Sequence, residues 1–175
     1  PYCDNQGNVV AYKKRQVDDK KYSISGNWRD GKMFGQHLFS AGQSVLTICE
    51  GEWDAMSTWQ MLGGVSTYPV ISVRNGAGSA LNDCKNNFEY IDSFDTIVVC
   101  FDMDPQGREA SQQVAELFGS KVKVFKNNGS IKDASEYLQH SRGEAFVKEW
   151  WNAERFVPDG IVDGSTLWDI VSAPM

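Results

Sequence analysis

Four short strand-like segments, "SVLTIC" (44–49), "YPVISV" (68–73), "DTIVVCF" (95–101) and "KVKVFK" (121–126), alternate along this chain with segments of helical spacing. An unbroken apolar run such as "SVLTIC" marks a strand covered on both faces, because a half-exposed strand would alternate polar and apolar residues. Between them, Trp53, Met56, Gln60 and Leu62 follow a helical rhythm that "GG" at 63 and 64 ends. The spacing predicts a second helix over Ala80 to Ile91, and a third through Ala110, Val114 and Leu117 that stops at Gly119. "DASEYLQ" and the Trp-rich "EAFVKEWWNAE" read as two more. Strands and helices in this order define βαβ units, so the expected fold class is α/β, a parallel sheet with helices on both faces.

The first residues read differently. Residues 1–26 form a predicted β-meander, with "DNQGN" and "VDDKK" as turns and "VVAYKKR" and "YSISG" as strands. From Asn27 to Gln43 the pattern is irregular and punctuated by Gly31, Gly35 and Gly42. The expected organisation is therefore a small β-rich subdomain over 1–43, an α/β subdomain over 44–155, and the start of a linker over 156–175. Charge divides in nearly the same place. Residues 1–44 carry seven Lys/Arg against four acids, a net of +3, and the remainder carries a net of −9. A polyanion-binding surface beside a metal site has this distribution, and so do two solvated faces.

At 175 residues, 41% hydrophobic and with six Trp, the chain builds a sizeable core, which excludes global disorder. No apolar stretch approaches the roughly 20 residues needed to span a bilayer, and no signal-peptide pattern opens the sequence. Cys3, Cys49, Cys84 and Cys100 lack C-x-x-C spacing, and Cys49 and Cys100 sit inside strand-like runs as buried free thiols do, so a reducing compartment and no zinc site are expected.

The chemistry sits where two apolar runs stop. "ICEGEWDAMS" places Glu50, Glu52 and Asp54 on alternate positions, and "VVCFDMDPQG" closes with Asp102 and Asp104. Open parallel sheets gather ligands outside the carboxyl ends of their strands. Glu50, Asp102 and Asp104 are thus expected to converge there, and unpaired carboxylates that close repel unless a cation compensates. Carboxylate oxygens are hard ligands suited to Mg²⁺. Each acid also has a plainer reading: Glu52 and Asp54 favour the first turn of a helix, and the aspartates suit turns and caps. "DMDPQG" matches the start of an EF-hand loop, but the twelfth position is Gln113 and no helix precedes it, so that reading fails. An aspartyl nucleophile stays open. "VRNGAGS" offers glycines and Arg74 to an anion, or simply makes a tight turn. Asp133 in "IKDASEY" falls at the same sheet end, at a helix start. No P-loop is present.

A Glu closing one strand and Asp-x-Asp closing another resembles the TOPRIM signature of bacterial-type primases, topoisomerases and some nucleases. "GNVVAYKKR", "MFGQHLF", "EGEWDAMS", "YPVISV", "FEYIDSFDTIVVCFDMDPQGREA", "KDASEYL" and "WNAERFVPDGIV" occur in the order seen in the primase half of podophage (T-seven type) primase–helicases, with Twinkle a more distant relative. The resemblance covers nearly the whole chain. It implies a TOPRIM primase core that makes short RNA primers from ribonucleoside triphosphates on single-stranded DNA during phage replication, a nucleotidyltransferase activity. By the same resemblance Glu50 is a metal ligand or general base, Asp102 and Asp104 hold Mg²⁺ (or Mn²⁺), and Glu52, Asp54 and Asp133 support them. Lys13 and one of Lys20 or Lys21 contact nucleotide or template, with Arg74 at a loop that departs from the family's glycine-histidine-glycine version. The implied partners are the single-stranded template, ribonucleoside triphosphates, a zinc-binding domain before Pro1, a helicase domain after Met175 and a replicative DNA polymerase, in the host cytoplasm. A TOPRIM nuclease and a catalytically silent DNA-holding module are the alternatives.

Overall fold

The computed structural model describes residues 1–19, 21–127 and 131–158. The meander is present as three antiparallel strands, β1 (Tyr2–Cys3), β2 (Val9–Arg15) and β3 (Tyr22–Gly26). The first turn forms because Asp4 Oδ1 accepts from the backbone N–H groups of Gln6 and Asn8, each at 2.9 Å. In the β2–β3 register Lys13 faces Ile24 and Arg15 faces Tyr22. Side chains two apart on a strand share a face, so these four stand together on one side of the sheet.

The second sheet has the order β5-β4-β6-β7-β8. Its strands β4 (Val45–Cys49), β5 (Val70–Ser72), β6 (Thr96–Cys100) and β7 (Val122–Val124) are parallel, and β8 (Glu154–Arg155) closes one edge antiparallel to β7. Helices α1 (Glu52–Met61), α5 (Ala134–Gln139) and α6 (Gly143–Trp151) pack together on one face. On the other lie α2 (Ala80–Asn86) and α4 (Pro105–Phe118), with α3 (Phe88–Asp92) following α2. Leu46, Ile48, Ile97 and Val99 feed the core under α2 and α4, whereas Cys49, Val98 and Cys100 feed the core under α1, α5 and α6. Two buried faces explain the unbroken apolar runs.

The chain leaves β4 for β5 on one side and returns past β4 to β6 on the other. The connections after β4 and β6 therefore diverge, opening a crevice between the carboxyl ends of adjacent strands. The two sheets are joined through the irregular segment. Phe34 bridges Ser72 by two 3.1 Å backbone hydrogen bonds, and Met33 is buried in the larger core.

Three expectations are corrected. The helix over Ala80 to Ile91 is two helices, because Asn87 turns its side-chain amide back to the Asp83 carbonyl at 2.8 Å and ends the first. The strand at 68–73 pairs only over Val70–Ser72. The Trp-rich helix stops at Trp151, and β8, which the sequence reading missed, follows it. Cys49 and Cys100 are buried free thiols, as expected, and so are Cys3 and Cys84. Among the described residues no helix is long and apolar enough to cross a membrane. Most of the expected linker, from 159 onward, lies outside the described residues.

Candidate active site

Glu50 follows β4 directly, and Asp102 stands two residues beyond β6. Cys49 and Cys100 are register partners, so the two carboxylates leave neighbouring strands within one residue of the same height. Glu50 Oε2 accepts the Asp102 backbone N–H at 3.3 Å. A cleft of about 330 Å³ opens over them, lined also by Lys13, Tyr22, Glu52 and Asp54. Burial, and then the charge of Asp102, raise the Glu50 pKa. Such packing needs Gly107 in "DPQG": a Cβ there would overlap the Asp102 carbonyl oxygen and lie 3.1 Å from Glu50 Oε2. Close backbone approach, and no calcium loop, accounts for that glycine.

Glu52 and Asp54 occupy the first turn of α1, but each has further partners. Glu52 takes the Tyr2 hydroxyl at 2.5 Å and the Lys13 ammonium at 2.7 Å. Lys13, its side chain 13% exposed, also donates to the Arg74 carbonyl at 2.8 Å. This trio carries the meander to the rim of the acidic cleft. Asp54 accepts the Ser135 hydroxyl at 2.8 Å and amide at 3.2 Å. Burial pushes its pKa up to about 6 despite those bonds, with Asp133 adding to the rise. A carboxylate with a folded pKa above its unfolded value gives up its proton less readily when folded. Its ionisation then costs stability, beginning near the ordinary value of 3.8 and complete above about 6. Asp54→Asn keeps an acceptor for Ser135. With divalent cations chelated, it is expected to stabilise the chain by about 1 kcal/mol near pH 8, with most of that gain lost near pH 4.5. Urea denaturation at the two pH values measures this; an equal gain at both would contradict it.

The sequence reading missed Lys132. Its ammonium lies 2.7 Å from Asp102 Oδ2, and the Asp102 hydrogen bond raises its pKa. The signal was adjacent to a residue already singled out, since Lys132 precedes Asp133 in "IKDASEY". Tyr2 was also missed; nothing local in the sequence links it to Glu52, 50 residues away.

The expected convergence of three carboxylates is only partly realised. Asp104 caps α4, accepting from Gly107 N at 2.8 Å, with Pro105 preorganising the first helical position. Its charge still contributes to the raised Glu50 pKa, although it does not line the cleft. Asp133 caps α5, accepting from Glu136 N at 2.9 Å. Arg74 does not face the cleft with a free guanidinium. It pairs with Asp83 at 2.9 Å, donates to the carbonyls of Trp28 and Gly31, and lies over the Trp28 ring. Lys21 is exposed on the β2–β3 turn and paired with Asp19, and Lys20 lies outside the described residues.

Among the described residues no group of three or more His, Cys, Asp or Glu is gathered as a ready cation shell. The donor set nonetheless suits a hydrated divalent cation. Mg²⁺ keeps several waters and needs only one or two carboxylates plus substrate phosphates. Glu50 and Asp102 offer hard oxygens in one cleft, where burial and the Asp102 charge raise the Glu50 pKa.

A doubly wound sheet with Glu and Asp-x-Asp at its switch point defines a class, and comparison agrees: the family model described as Toprim-like matches residues 47–138. The chain belongs to the Toprim-like family. It is 35% identical over 175 residues to a DNA helicase/primase of Enterobacteria phage T3, covering 99% of this chain but 30% of that protein. The crystal structure of the primase fragment of the bacteriophage T7 primase-helicase superimposes with a TM-score of 0.76 at 33% identity, covering 86% of this chain and 61% of that one. A second T7 structure matches with a TM-score of 0.79 at 33% identity, covering 89% and 76%. It holds the lagging-strand DNA polymerase interacting with primase domains of two gp4 subunits bound to an RNA/DNA hybrid and dTTP. The chain thus spans less than a third of the curated relative it matches.

Proposed function

We propose that this chain is the primase core of a phage primase–helicase, a nucleotidyltransferase that builds short RNA primers from ribonucleoside triphosphates on single-stranded DNA. The observation that carries the reading is the cleft in which Glu50 and Asp102, from adjacent strand ends, face Lys13 from the basic meander. Acids suited to a divalent cation and a lysine suited to phosphate meet there, in a chain akin to phage helicase/primases.

Glu50 and Asp102 hold the cation, Mg²⁺ or Mn²⁺, with Glu52, Asp54, Asp104 and Asp133 around them. When bound, it neutralises the incoming triphosphate and lowers the pKa of the attacking 3′-hydroxyl. The chain's own groups supply position and charge, which is most of what phosphoryl transfer requires. Glu50 serves that cation as a ligand, and the cation's charge offsets the burial and the Asp102 charge that otherwise raise its pKa. Lys13, held by Glu52, turns its ammonium to the phosphates, and Lys132 keeps Asp102 oriented. The cations of the N-terminal subdomain, with one of Lys20 or Lys21 among them, hold the template backbone in a salt-sensitive way. A zinc-binding domain, a helicase domain and a replicative polymerase are the proposed partners in the host cytoplasm.

Extension of a preformed diribonucleotide on complementary single-stranded DNA tests this, since the dinucleotide bypasses recognition of a start site. Extension is expected with Mg²⁺, none with a chelator, and recovery when the metal is restored. DNA cleavage without nucleotides would replace the reading with a nuclease. DNA binding without extension would replace it with a silent holding module.

A further inference from the structure

Beside the acidic cleft, and continuous with it through Tyr22, Gly51, Glu52 and Asp54, runs a groove of about 680 Å³. Its two walls differ in chemistry. The meander contributes Arg15 and Tyr22, with the Arg15 guanidinium 5.7 Å and the Lys13 ammonium 5.0 Å from the Tyr22 ring centre. Arg15 enters none of the ion pairs among the described residues. The opposite wall is the outer face of α1 and α5, with Trp53, Met56 and Leu138. Trp53 is 62% exposed and Met56 42% exposed, three residues apart on one helix face. Large apolar side chains held together in water beside a charged cleft mark a binding surface. Asp54 and Asp133 also lie along the helical wall and repel phosphate there.

We propose that this groove seats a single-stranded polynucleotide, its phosphates along Arg15 and its unpaired bases on Trp53 and Met56. The inference rests on the primase reading and adds the wall that takes the bases. Every base has a π-face, so stacking on Trp53 is tolerant of sequence. A duplex, its bases already stacked inside, offers no base face to Trp53. The carboxylates on the helical wall fix the polarity of the groove, confining the backbone to the meander side.

Anisotropy titration of a fluorescein-labelled oligo-dT separates the contributions. Trp53→Ala is expected to weaken binding about 5- to 20-fold, and Trp53→Phe much less, since an aromatic face remains. The salt dependence of Trp53→Ala stays that of the parent, whereas Arg15→Ala lowers the log–log slope by about one, the signature of one lost phosphate contact. An abasic oligonucleotide of the same length is expected to bind parent and Trp53→Ala alike. Trp53 is exposed, so both variants should melt with the parent. Unchanged oligo-dT affinity in Trp53→Ala, or an equal loss with the abasic strand, would overturn the groove assignment while leaving the primase reading standing. Failure of the parent to bind oligo-dT at all would sink both.

Discussion

Asp102→Asn is expected to reduce dinucleotide extension by about a thousandfold while leaving the melting temperature close to that of the parent. The substitution removes half the charge of the Glu50–Asp102 pair and leaves a poor ligand for a hard cation. The fold has little reason to follow. Asp102 supports Glu50 through its backbone N–H, which an asparagine keeps. The ion pair it loses joins a Lys132 side chain that is 55% exposed, and exposed pairs contribute little to stability. Extension assays and thermal melts on the same preparation decide the matter. Activity within about tenfold of the parent would remove Asp102 from the transfer step.

Arg74→Ala is expected to destabilise the chain by about 3 kcal/mol, because it leaves a buried carboxylate without its cation. The Asp83 side chain is 3% exposed, and after the change only the residue-74 amide and the Ser79 hydroxyl still donate to it. The same guanidinium reaches the carbonyls of Trp28 and Gly31, so its loss also loosens the segment that ties the meander to the larger sheet. For a chain of this size the melting temperature should fall by roughly 6–12 °C. A nucleotide-binding role predicts the opposite split, a raised KM for ribonucleotides with the melting temperature unmoved. That result would return Arg74 to the binding site and discard its role as the cation that neutralises Asp83.

The two predictions differ in how far the sequence could reach. The positions of Glu50 and Asp102 were legible because each closes an apolar run, and a strand-terminal residue is located by counting along its own strand. Arg74 was legible only as a cation next to glycines; its partners lie 9 residues away at Asp83 and 43 and 46 away at Gly31 and Trp28. Asp104 and Asp133 carried both a capping and a ligand reading from the outset. Their hydrogen bonds to Gly107 N and Glu136 N show the caps in place. The break at Asn87 escaped notice because apolar spacing continues through it, and the turn depends on one side-chain amide. Strand β8 escaped because two residues carry no period, and only the free edge of β7 selects them.

Local patterning alone therefore determined the α/β class, the meander, and the strand ends that bear the acids, because hydrophobic period and turn chemistry act over a few residues. Tertiary structure decided which charges meet. It set the strand order that opens the crevice between β4 and β6, and it brought Lys132 to Asp102 and Tyr2 and Lys13 to Glu52. It also left Trp53 facing water across from Arg15. Coulombic and hydrogen-bonding partners are selected by distance in space, and a linear pattern holds no record of that distance until the sheet has assembled.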